Sequence, residues 1–265
     1  DKERGIRMEP NMLMRFASVS KLITAVGIMK LQEMKKLKLN EKVFGEKGIL
    51  RDTVYNNSIK DKRYYDITVE QLLRHQAGFN NYAGDPVSST RYIMMQNHLK
   101  TPPDHPTLLK ILLKRHLGYT PGKGKCYSNL GYMILSMIIE KKSGMKYENF
   151  MQKYVLHPAG CYDMHIAGTY LKDRRPNETK YYMHGGSIPV YEYNNSGRLV
   201  EKCYGDTDLP RLSGAGAWCG SAAELSRFIA SIDGLPHVKD ILSKKSIEFM
   251  TREQADHQYS IGWNY

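Results

Sequence analysis

The sequence predicts an α+β chain, rich in helix with a few antiparallel strands, on three observations. Two long apolar runs, one after Lys21 and one after Asn129, carry helix start and stop signals. Thr68-x-x-Gln71 and Ser221-x-x-Glu224 read as capping boxes that open further helices. Asn194-Asn195-Ser196-Gly197 reads as the turn of a hairpin between two β-prone stretches.

In chain order, the first helix is expected over 20–37, with Leu22, Ile23, Val26, Met29 and Leu31 as its buried residues. Further helices are expected over 68–75, 88–99, 106–117, 130–143 and 146–154, and then over 221–232 and 243–251. Gly144 closes the helix over 130–143 as a C-cap. Strands are expected over 188–193, 197–204 and 258–264. The stretch 168–187, rich in Arg, Asn, Tyr and Gly, reads as an irregular loop. No internal repeat or low-complexity linker divides the chain.

At 265 residues and 41% hydrophobic, the chain can bury a sizeable core as one large domain or two lobes. No apolar run reaches the 18 or so residues of a spanning helix. The chain opens at Asp1 on charged residues rather than on a signal peptide, which a processed start would explain. The net charge of +12 comes from lysines spread along the sequence, without a nucleic-acid-binding motif. It reads as a solvated surface rather than a nucleic-acid face. Cys126, Cys161, Cys203 and Cys219 form no Cys-x-x-Cys pair and no His-spaced cluster. They read as buried free thiols rather than metal ligands, and no cofactor is expected.

The chemistry is concentrated in Phe16-Ala17-Ser18-Val19-Ser20-Lys21, at the mouth of the first apolar helix. Positions i and i+3 of a helix are surface neighbours, with Cβ atoms about 5–6 Å apart. A serine hydroxyl and a lysine amine held that way form a nucleophile and its base. A helix N-terminus also offers unpaired N–H groups to an oxyanion forming on Ser18. The plainer reading of Ser18 is an N-cap. Ser143-Gly144-Met145-Lys146 fits the same four-letter pattern but falls at a helix end.

Tyr127-Ser128-Asn129 follows a Pro121-Gly122 turn and leads into the second long apolar helix. Tyr-x-Asn also occurs at Tyr55, Tyr147 and Tyr193, but only the Tyr127 copy sits in such a turn. A phenol beside Lys21 can shuttle the Ser18 proton, and Asn129 can offer its amide to a substrate carbonyl or to Lys21. The plainer reading is a turn in which Ser128 or Asn129 caps the next helix.

Taken in order, these motifs resemble the serine β-lactamase-like hydrolases, which include class C β-lactamases, DD-peptidases (penicillin-binding proteins) and related esterases. Ile67 to Gly78, with Leu73-Arg74-His75-Gln76-Ala77-Gly78 at its end, belongs to the resemblance. So do His157-Pro158-Ala159-Gly160-Cys161, the loop Gly214–Trp218 with the helix after it, and Tyr259-Ser260-Ile261-Gly262-Trp263. The resemblance implies a helical lobe packed on an antiparallel sheet, with the site in the crevice between them. It implies Ser18 as nucleophile, Lys21 and Tyr127 in proton transfer, Asn129 in substrate binding, no metal, and a periplasmic or extracellular location. The substrates it implies are D-Ala-D-Ala-type cell-wall peptides, β-lactams or small esters.

Two departures stand out: only 17 residues precede Ser18, and no Lys/His-x-Gly strand follows Trp263 before Tyr265. The expectation is therefore one serine-hydrolase domain over 1–265, with sheet-lobe remnants at 1–17 and 252–265 and a mainly helical lobe over 18–251. It would be part of a longer polypeptide. The alternative is a non-catalytic binding or sensing domain that keeps the fold but lacks the third motif.

Overall fold

A computed structural model describes residues 1–82, 84–251 and 261–262. Its elements run β1 (Leu13–Arg15), α1 (Ser20–Glu33), α2 (Thr53–Asn56), α3 (Val69–Leu73), α4 (Thr90–Gln96), α5 (His105–Leu112), α6 (Asn129–Ser143) and α7 (Tyr147–Met151). They continue with β2 (His165–Ile166), β3 (Pro189–Tyr191), β4 (Leu199–Glu201), α8 (Ser213–Gly216), β5 (Trp218–Ser221), α9 (Ala222–Ala230) and α10 (Lys244–Thr251).

Helices α1 and α6 form the centre. Every residue of α1 from Ser20 to Met29 is buried, and so is α6 from Leu130 to Ile139. A helix apolar on all sides has no solvent face to present, so it is enclosed by others. Gly27 makes room for α7: a Cβ there would lie 2.5 Å from Met151 Sδ. Gly214 does the same where α8 crosses α6, because a Cβ would lie 2.4 Å from the Tyr132 carbonyl oxygen. Backbone cannot yield as a side chain can, so this close approach requires glycine.

The eight expected helices all form, several of them shorter than expected. Residues in left-handed backbone stop three: Lys35 after α1, His75 after α3 and His98 after α4, each with φ between 50° and 58°. Thr68 and Gln71 make a full capping box. Ser221 accepts from Glu224 N–H, but the Glu224 carboxylate turns away to the Asp163 N–H, so that box is half made. Gly144, at φ 73°, caps α6, which leaves Ser143 at a helix end.

β3 and β4 form the expected hairpin, pairing Pro189 with Glu201 and Tyr191 with Leu199. The expected strand over 258–264 lies outside the described residues except for Ile261 and Gly262. Ile261 is buried, and Gly262 packs on Leu22 and Ala25 of α1. β2 and β5 were not foreseen, while β1 falls within the sheet remnant expected at 1–17. β5 lies between β1 and β2, antiparallel to both, with Arg15 and His165 flanking Cys219. The stretch expected as a loop at Gly214–Trp218 is instead the short helix α8 running into this central strand. All four residues of β5 are buried, so it shows no apolar–polar alternation to read.

Candidate active site

The β1–β5 pairing delivers the candidate nucleophile. Phe16 N–H donates to the Trp218 carbonyl at 2.8 Å, and the chain then turns through Ala17 at φ 47°. A left-handed alanine costs about 1–2 kcal/mol, a strain carried directly before Ser18. Ser18 is exposed in a single 3-10 turn, Ala17–Val19, that runs on into α1. The N-cap reading of Ser18 is thereby corrected: Val19 holds the cap position, without a side-chain bond.

Two side chains meet Ser18 Oγ. The Tyr127 hydroxyl donates to it at 2.5 Å, and Lys21 Nζ lies 3.4 Å away. Lys21 also donates to Asn129 Oδ1 at 2.6 Å and to the Ala215 carbonyl at 2.7 Å. Its amine sits 4.6 Å from the centre of the Tyr127 ring. Ser18, Lys21, Tyr127 and Asn129, picked out from widely separated stretches, thus form one cluster. Ser128 caps α6 by accepting the Gly131 N–H, so the capping reading of this turn holds at Ser128, between Tyr127 and Asn129.

Burial disfavours the charged amine and holds Lys21 down to about 7, against an ordinary 10.5, while the Asp85 carboxylate pulls the other way. Near neutrality much of Lys21 is the free amine. An amine has two N–H groups, and Asn129 Oδ1 and the Ala215 carbonyl take both. The lone pair is left for the remaining neighbour, Ser18 Oγ.

Three contributors were not picked out as site residues from the sequence. His75 Nδ1 accepts the Ser128 N–H at 3.0 Å, and its carbonyl accepts the Cys126 N–H at 3.0 Å. Its ring lies 4.7 Å from that of Tyr127, so His75 clamps the segment that carries the phenol. Burial and the Lys21 charge push the imidazole down to about 3, which keeps it neutral and able to accept. The quoted stretch Leu73–Gly78 contained it, without a role. Asp85 accepts from Asn129 Nδ2; it stands in Gly84-Asp85-Pro86, a composition typical of turns that carries no sign of a site. The Ala215 carbonyl is a backbone group, invisible to any side-chain pattern.

Behind the site, a buried relay fixes α1 against β5. Trp218 Nε1–H donates to the Tyr147 hydroxyl at 2.9 Å, which lies 2.6 Å from Thr24 Oγ1. Thr24 in turn donates to the Gly214 carbonyl at 2.7 Å. Tyr147, one of the decoy Tyr-x-Asn copies, is therefore a structural residue.

The sheet register also gathers His165, Glu178 and Cys219, buried with their ligand atoms within 4.8 Å of one another. Sequence spacing gave no hint of this trio. Arg15 Nε stands 3.9 Å from Glu178, whose oxygens accept from the Tyr181 hydroxyl and the Arg175 N–H. Burial and the Glu178 charge push the Cys219 thiol up to about 12, so it is neutral. A cation there would face the Arg15 guanidinium and would have to displace these donors. All four cysteines are unpaired.

A family model described as Beta-lactamase matches residues 1–265. The chain belongs to the β-lactamase family. It is 27% identical over 252 residues to penicillin-binding protein 4* of Bacillus subtilis, covering 91% of this chain and 48% of that protein. It thus spans about half the length of this relative. A penicillin-binding protein from Bacillus halodurans superposes with a TM-score of 0.69 at 17% identity, covering 99% of this chain and 73% of that one. A D-stereospecific amidohydrolase from Streptomyces gives 0.65 at 22%, covering 95% and 70%. These two likenesses are of fold, and the α+β architecture agrees with them. Among the described residues no helix is long and apolar enough to cross a membrane.

Proposed function

We propose that the chain is the nucleophile-bearing part of a serine hydrolase, a single domain of a longer polypeptide, that transfers acyl groups to water through a Ser18 ester. The observation that carries this reading is Lys21: a buried amine with both N–H groups engaged and Ser18 Oγ as its third neighbour.

In the proposed step, the Ser18 proton passes to Lys21, directly or through the Tyr127 hydroxyl, as Oγ attacks the carbonyl carbon. The Ser18 N–H, at the first turn before α1, gives one donor to the oxyanion. The same groups then return the proton to the leaving group. Water repeats the sequence against the ester, releasing the acid and restoring Ser18. Asn129 keeps one Nδ2–H beyond its bond to Asp85 and can offer it to the substrate. The names of the relatives, penicillin-binding proteins and an amidohydrolase, favour a β-lactam or an amide as substrate, and the family resemblance adds cell-wall peptides, small esters and a periplasmic or extracellular site of action.

The test is to treat the full-length protein with a fluorophosphonate and a fluorescent penicillin, and to map adducts by mass spectrometry. A single adduct on Ser18, lost in Ser18→Ala, is expected. Labelling at another serine would overturn the assignment, and no labelling with unimpaired ligand binding would favour a non-catalytic binding domain.

A further inference from the structure

The Asn129 amide stands between two groups with different demands. Its Oδ1 accepts from Lys21 Nζ at 2.6 Å, and its Nδ2 donates to Asp85 Oδ2. A free amine both donates and accepts, so Lys21 by itself would take either end of the amide. A carboxylate only accepts, so Asp85 takes the N–H end and no other. With the amide turned over, its oxygen would meet the Asp85 carboxylate and its N–H would occupy the Lys21 lone pair. Ser18 Oγ, 3.4 Å from Nζ, needs that lone pair. Asp85 therefore selects the orientation in which the amine stays open to Ser18.

Asp85 is itself held. Its Oδ1 accepts the Val87 N–H at 2.9 Å, and its carbonyl accepts the Ser89 N–H at 3.0 Å. The same loop is tied a second time to the segment carrying Tyr127 and Asn129, because Asn81 Nδ2 donates to the Tyr127 carbonyl at 2.7 Å.

The charge of Asp85 also acts on Lys21. Burial weakens the amine as a base and the Asp85 carboxylate opposes this, which leaves the amine at about 7. A general base works best with its pKa near the working pH. The other titratable groups facing Lys21 among the described residues are Tyr127, its ring centre 4.6 Å from Nζ, Tyr132 of α6 at 5.5 Å, and His75. Burial holds His75 at about 3 and Tyr132 far above neutrality, so both stay uncharged between pH 5 and 9.

We propose that Asp85 is a positioning residue of the Ser18 site, which fixes the Asn129 amide and thereby keeps the Lys21 amine open to Ser18. This rests on the reading of Ser18 as nucleophile and Lys21 as its base.

The experiment measures acylation of the full-length protein by 4-nitrophenyl acetate in stopped flow, from pH 5 to 9. Wild-type acylation is expected to rise through about pH 7, as Lys21 loses its proton, and then to level off. Asp85→Asn removes the charge and offers Asn129 either end of an amide. It is expected to move the rise down by about one pH unit, the lower end of the effect of a nearby opposite charge. It should also lower the plateau about 10- to 100-fold, the worth of the charged hydrogen bond it loses. Asp85→Glu should restore part of both. Asn81→Ala loosens the same loop without changing its charge, and should lower the plateau while the rise stays in place. Fluorophosphonate labelling of Ser18 at pH 9, run on every variant, reports an intact site. A labelled Asp85→Asn protein with its rise unmoved or its plateau undiminished would overturn the role of Asp85 alone. So would failure of both Asp85 variants to fold, which would mark a structural residue. Absence of labelling and turnover in the wild type would overturn the hydrolase reading, and the Asp85 role with it.

Discussion

Replacing Lys21 by Met tests the electrostatics of the site without any substrate. Burial lowers the folded-state pKa of Lys21 from 10.5 to about 7. Each pH unit of such a shift is worth about 1.4 kcal/mol, so the charged form is disfavoured by about 5 kcal/mol in the folded protein. The sign follows from proton counting. Between pH 7 and 10.5 the unfolded chain keeps a proton on Lys21 that the folded chain has lost, so wild-type stability rises with pH across that window. Below pH 7 the full cost is present; above 10.5 it is gone. Lys21→Met has no such group. It also leaves Asn129 Oδ1 and the Ala215 carbonyl without their donor, a loss that does not vary over this range. The stability of the wild type minus that of Lys21→Met should therefore climb by about 2 kcal/mol from pH 7 to 9, approaching about 1.4 kcal/mol per pH unit once the pH is well above 7. Urea denaturation of both proteins at several pH values gives this difference directly. Parallel curves would mean that Lys21 stays charged to pH 9, and would remove the free amine from the proposed mechanism.

Tyr127→Phe should slow acylation of Ser18 about 10²–10⁴-fold in stopped-flow measurements with an ester. Lys21→Ala should do the same, and the double variant should lose far less than the product, because the two act on one proton. Gly214→Ala should destabilise the protein by about 1–3 kcal/mol in chemical denaturation, since its Cβ would meet the Tyr132 carbonyl oxygen at 2.4 Å. Tyr147→Phe should cost about 1–3 kcal/mol in the same assay, by leaving Trp218 Nε1–H buried without its acceptor. Either loss is relayed to α8 and α1, and so to the Lys21 environment.

The sequence by itself determined the helices and the pairing of Ser18 with Lys21. Ser18 and Lys21 are three positions apart, a spacing that one helical turn converts into contact whatever surrounds it. Thr68 with Gln71, Gly144 and the turn before β4 are likewise local signals, settled by a few neighbouring residues. Leu22 to Leu31 and Leu130 to Ile139 announced burial because no helix so apolar on every side can face water.

Only the tertiary structure decided what stands beside that pair. Tyr127 comes within 2.5 Å of Ser18 because His75 clamps its segment, and nothing in either stretch encodes that distance. The Ala215 carbonyl reaches Lys21 because Gly214 lets α8 press on α6, a fact of close packing. β5 escaped notice because a strand buried on both faces has no alternation. Asp85 carries no signal of its own in the sequence, and only the fold joins it through Asn129 to Lys21. Hydrogen bonds between segments more than 40 residues apart depend on how helices pack. Packing answers to the volumes and surfaces of the whole core, which no short stretch of sequence contains.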